Sequence, residues 1–212
     1  MFTNRSRIQR IASAAVAGTG ALVLFTACGG GDSSTSGRAT PTTGGVAATP
    51  TGTRQGASFN DADATFAQMM IPHHQQAVEM AELAETRASD PEVKELAAKI
   101  KAAQDPEIKI MQGWLEEWGK PVPTGTEGMG HMDHGMPGMM SAEDMKKLEG
   151  AKEATFDKRF TQMMIAHHEG AIEMARTEQA KGVNPEAKEL AKTIETSQQA
   201  EVEQMRKILD RL

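Results

Sequence analysis

Residues 69–81 read MMIPHHQQAVEMA, and residues 163–175 read MMIAHHEGAIEMA. Sliding the sequence along itself by 94 residues aligns 63–115 with 157–209 without a gap, and 23 of those 53 positions are identical. A match of this length is one supersecondary unit used twice. Apolar and small residues recur within each unit at spacings of three and four, the signature of amphipathic helices. Each unit is punctuated once, by SDPE at 89–92 and VNPE at 183–186. Asp90 and Asn184 suit N-caps, and Pro91 and Pro185 suit the first helical position. Gly182 suits the residue just past the end of the preceding helix. The expected helices are 61–87 and 91–118 in the first copy, and 155–181 and 185–211 in the second. They predict an all-α protein, an antiparallel four-helix bundle built from two duplicated αα-hairpins. Pro106 predicts a kink in the second helix, or a restart capped by Asp105, and Pro72 predicts a bend just before His73.

The composition agrees with a helical core. There is no Tyr, aromatics make up 4% of the chain, and Met is frequent at 15 residues. Met fills irregular gaps and suits helices, whereas a β-sandwich needs more β-branched and aromatic residues. A net charge of −6 argues against nucleic acid as a partner.

The N-terminal region reads as processing and spacing rather than fold. Arg5, Arg7 and Arg10 precede an apolar run over 11–25, and FTAC follows, ending in the only cysteine, Cys28. The run is short for a membrane span, so residues 1–27 are expected to be a signal peptide. The lone Cys after such a run resembles a bacterial lipobox, which implies a lipidated Cys28 and anchorage on the outer face of the cell membrane. Residues 28–59 are rich in Gly, Ser, Thr and Pro and read as a tether. The bundle is expected over 60–212, with its two repeats at about 61–118 and 155–211 and a connector at about 119–145. With no thiol inside the domain, soft-metal chemistry there falls to Met and His.

Four of the six histidines form two adjacent pairs, His73–His74 and His167–His168. At 100° per residue these share one arc of each first helix with Met69, Met70 and Met80, and with Met163, Met164 and Met174, on the side expected to face the core. Glu79 and Glu173 point away. A Met stripe on one helix is ordinarily core packing. Four inward imidazoles are harder to explain that way, because each buried one needs a partner. Met69 and His73 are four apart, as are Met70 and His74, so each pair meets on the helix surface. Thioether with imidazole suits Cu(I) or Ag(I), and imidazole also serves Cu(II). The connector repeats the theme: residues 129–140 hold His131, His134 and five methionines, among them Met132, Met136, Met139 and Met140, amid Gly and Pro. Exposed Met in a Gly-rich loop adds nothing to a core, and it reads as metal capture. Ser141 is placed to cap a short helix after it.

The run of Phe, Met-Met-Ile, His-His and Glu-Met-Ala, followed by a Lys-Glu-Leu-Ala helix, resembles the DUF305 family over about residues 60–212. That resemblance implies a ferritin-like bundle in an extracytoplasmic, secreted or membrane-anchored protein, some members binding copper. Carried over by motif, it implies ligands at His73, His74, Met69 and Met70, and at His167, His168, Met163 and Met164.

Three functions compete. The first is a copper-binding lipoprotein that buffers, resists or delivers copper. The second is a metal-free interaction module on a tether. The third is a di-metal oxidase, which would need inward Glu and Glu-x-x-His pairs on the bundle helices; the chain contains no Glu-x-x-His. No Gly-x-Ser-x-Gly is present either, and no enzyme activity is expected.

Overall fold

A computed structural model describes residues 58–124 and 136–212. The expected signal peptide, Cys28 and most of the tether lie outside these residues. The regular elements among the described residues are all helices: α1 (Asp61–Arg87), α2 (Pro91–Glu117), α3 (Ala142–Gly150), α4 (Glu153–Lys181) and α5 (Pro185–Leu209). Among the described residues no helix is long and apolar enough to cross a membrane.

The helix starts follow the expected chemistry. Asp90 accepts hydrogen bonds from the N–H groups of Glu92 and Val93, and Asn184 from those of Glu186 and Ala187. Asn60 and Asp63 form a reciprocal capping box on α1. Ser141 caps α3 through the N–H of Asp144.

Two expectations about breakers change. Helix α2 does not restart at Asp105; it runs as one helix through Pro106. The carbonyl that Pro106 leaves without a donor belongs to Ala102, which is exposed, so water can serve it. Gly182 does end α4, but in an extended conformation (φ −67°, ψ 156°) rather than the left-handed one. A Cβ there would come within 2.0 Å of the Glu178 carboxyl, so the glycine leaves that side chain its place. The left-handed stop belongs to Gly119 (φ 63°), after α2. There the N–H of Lys120 reaches the carbonyl of Leu115 at 2.8 Å, and that of Gly119 reaches Glu116 at 3.2 Å, a Schellman closure.

Helix α1 packs on α2 and α4 on α5, and the hairpins join mainly through α1 and α4. A reciprocal clasp locks them. Asp63, on α1, accepts hydrogen bonds from the backbone N–H groups of Val183 and Asn184 in the α4–α5 turn. Its repeat mate Asp157, on α4, accepts from the N–H groups of Ser89 and Asp90 in the α1–α2 turn, and from the Ser89 hydroxyl. The start of each first helix therefore sits at the end of the other, so α1 and α4 run antiparallel about a pseudo-two-fold axis. Two apolar clusters fill the interior. Phe66, Met70, Met111 and Ile194 belong to one, and Phe156, Phe160, Met80 and Met164 to the other. Helix α3 covers the second through Met145 and Leu148.

Candidate metal centre

All four paired histidines are fully buried at the α1–α4 contact. His73 and His167 face each other across the pseudo-two-fold axis, ring centroids 3.7 Å apart and planes tilted by 38°. On the flanks, His74 Nε2 donates to Glu107 Oε2 at 2.7 Å, and His168 Nε2 donates to Glu201 Oε2 at 2.7 Å. Glu107 lies on α2 and Glu201 on α5, so each hairpin orients its own outer histidine from its second helix. The reading of the first helices alone missed both glutamates. The repeat did carry the signal, because position 107 and its mate 201 hold the same acid.

The hydrogen-bond inventory is left incomplete. His73 Nε2 donates to the Pro137 carbonyl at 3.1 Å. Nδ1 of His73, His74 and His168 and both ring nitrogens of His167 have no partner. Buried polar atoms are rarely left so, since each unpaired one costs about 1–3 kcal/mol. Burial, helped by the neighbouring imidazoles His74 and His168, pulls the His73 pKa down to about 3. Burial also drives His167 well below the ordinary histidine range, with His73, His168 and His74 adding to it. The inner pair is therefore neutral at pH 7, with lone pairs on nitrogen available to a metal ion.

The methionines are divided. Met70, Met80 and Met164 are completely buried, Met163 and Met174 are 9% and 7% exposed, and all five sit in the apolar clusters. Met69 is partly exposed. It lines an open groove of about 510 Å³ between α1 and α4, together with Phe66, Pro137, Met174 and Glu178. Among the described residues no group of three or more His, Cys, Asp or Glu side chains stands ready to hold a metal. A soft ion would thus draw on imidazole nitrogen together with thioether sulfur, the donor set these residues offer.

Residues 136–140, the described end of the Met- and His-rich stretch, are not the exposed loop that its composition suggests. Met136 is buried at 7% exposure, and Met139 and Met140 are partly buried. Residues 136–140 lie on the bundle because Gln76 holds the Met140 backbone twice, accepting from its N–H at 2.7 Å and donating to its carbonyl at 2.9 Å. His131, Met132 and His134 lie outside the described residues.

Glu178 joins Asp63 and Asp157 as a buried acid, 1% exposed. Burial, and then the adjacent Asp63, push its pKa up to about 8. Burial alone would raise Asp63 as well, but hydrogen bonds from Asn60, Glu178, Asn184 and Val183 outweigh it and hold that carboxyl below its usual range. Glutamates 79 and 173 are exposed, as the helical wheel predicts.

The profile of the domain of unknown function DUF305 matches residues 63–209. The chain belongs to the DUF305 family. Solved DUF305 relatives share its helical fold. A DUF305 protein from Streptomyces coelicolor is 36% identical, with 71% of this chain and 93% of that one covered and a TM-score of 0.64. CopM in its Cu(II)-bound form is 38% identical, with 70% and 96% covered and a TM-score of 0.61. A DUF305 fragment from Deinococcus radiodurans is 29% identical, with 74% and 99% covered and a TM-score of 0.63. CopM has also been solved with Cu(I) and with silver bound. No curated protein matches this chain.

Proposed function

We propose that this DUF305 protein binds copper, as Cu(I) and Cu(II), outside the cytoplasm, in a buffering, resistance or delivery role. In this reading the ligands are His73, His74, His167 and His168, with thioethers from the adjoining methionines. The observation that carries it is the set of five unpartnered imidazole nitrogens gathered at one buried helix contact. An apolar core has no packing use for them, whereas a metal ion would take up the one lone pair that each neutral imidazole offers, the other His167 nitrogen carrying that ring's proton. The likeness to CopM, whose structures hold Cu(II), Cu(I) and silver, supports the choice of metal. Lipid anchoring at Cys28 belongs to the same proposal and rests on the sequence around it.

The test is a Cu(I) competition titration of the protein and of a variant with His73, His74, His167 and His168 all changed to Ala. Helicity by circular dichroism serves as the folding control. Affinity is expected to fall at least about tenfold, or about 1.4 kcal/mol. A folded variant that binds Cu(I) as the parent does makes the four histidines structural and leaves the Met- and His-rich connector as the metal site, whereas a parent protein that binds no Cu(I) makes the metal-free interaction module the better reading.

A further inference from the structure

The two repeats differ at the place where the connector crosses them. Position 76 is Gln on α1, and its mate on α4 is Gly170. Gln76 grips the Met140 backbone with both ends of its amide. Gly170 leaves room for the opposite end of the same segment, since a Cβ there would come within 2.0 Å of the Pro137 carbonyl oxygen and 2.7 Å of the Gly138 nitrogen. Gly138 itself is left-handed (φ 77°), and a Cβ on it would meet the backbone oxygens of Ala166 and His167 at 2.6 and 2.9 Å. Between these contacts the Pro137 carbonyl accepts from His73. One short piece of backbone is thus seated on α1, on α4 and on one member of the His73/His167 pair.

We propose that residues 136–140 are a strap over the His73/His167 pair, and that this strap must lift before a metal ion reaches those rings. Gln76 and Gly170 then act as positioning residues that set how fast and how tightly metal is taken up. The uptake half of this inference rests on the metal-binding reading above; the covering half does not. If the rings are reached only when the strap is off, apparent affinity scales with the fraction of molecules in the lifted state. Loosening the strap therefore raises both the association rate and the apparent affinity.

Two variants dislodge it from opposite sides. Gln76→Ala removes both hydrogen bonds to Met140, and Gly170→Ala places a methyl group where Pro137 lies while favouring the helix that carries it. Gln68→Ala is the control, because Gln68 also holds the connector backbone, but at Pro121. In the metal-free protein, carbethoxylation of His73 and His167 by diethylpyrocarbonate, read by mass spectrometry, is expected to accelerate about fivefold or more in both strap variants and not in the control. Stopped-flow Cu(I) uptake is expected to accelerate by a similar factor. Unchanged carbethoxylation in the two folded variants overturns the strap. Faster carbethoxylation with unchanged uptake overturns its control of metal entry. The His-to-Ala titration separates both results from a failure of metal binding itself.

Discussion

At the scale of single residues, the site is defined by which polar atoms are satisfied. The outer histidines have carboxylate partners and the inner ones face each other as tilted rings, so adjacent residues in sequence have different surroundings. The inward direction of all four was legible from helical spacing. The partners were not, because Glu107 and Glu201 reach the histidines from other helices, and a wheel drawn for one helix cannot show that. Glu178 was not legible either. Its repeat mate is Ala84, so nothing in the duplication marks it. Its consequence is a pH effect of known sign. The folded protein keeps a proton on Glu178 up to about pH 8, whereas the unfolded chain releases it near the ordinary glutamate value of 4.5. Between those values the folded state binds more protons, so this group's contribution to stability declines as pH rises. Glu178→Gln is expected to flatten the pH dependence of the urea midpoint between about pH 5 and 8, and to raise the midpoint at pH 8. An unchanged slope would show that Glu178 ionises normally.

At the scale of elements, the helix starts were the most readable features, because capping is local chemistry. Asp90, Asn184 and Ser141 cap where the sequence places them. Breakers were less readable. Pro106 interrupts nothing, since its cost is met at an exposed turn, and Gly182 serves a close approach rather than a left-handed stop. The clasp made by Asp63 and Asp157 depends on contacts about 120 and 68 residues apart in sequence, so no local rule could give its partners, although both acids are repeat-identical. Asp157 is 1% exposed and serves two backbone N–H groups and a hydroxyl. Asp157→Ala should strand those donors and lower stability by about 2–4 kcal/mol, measured by urea denaturation with the slope unchanged. A loss below about 0.5 kcal/mol would mean that water replaces the carboxylate without cost.

At the scale of the whole molecule, duplication supplies two equivalent hairpins and the connector makes them inequivalent. Helix α3 covers one apolar cluster, while the pseudo-equivalent groove beside Met69 and Met174 stays open. The repeat, visible in sequence, predicted the bundle of two like hairpins but not that the hairpins meet through α1 and α4. The seating of residues 136–140 was not predictable, because a Gly- and Met-rich stretch carries no periodicity; only the Gln76/Gly170 difference hinted that the two first helices meet different neighbours. The central claim, that buried imidazoles and thioethers together take copper, is tested most directly by X-ray absorption at the copper edge of the Cu(I)-loaded protein. It predicts a mixed shell of nitrogen and sulfur neighbours, with the nitrogen component lost when His73, His74, His167 and His168 are all changed to Ala. A shell of sulfur alone in the parent protein, unaltered in that variant, would contradict it.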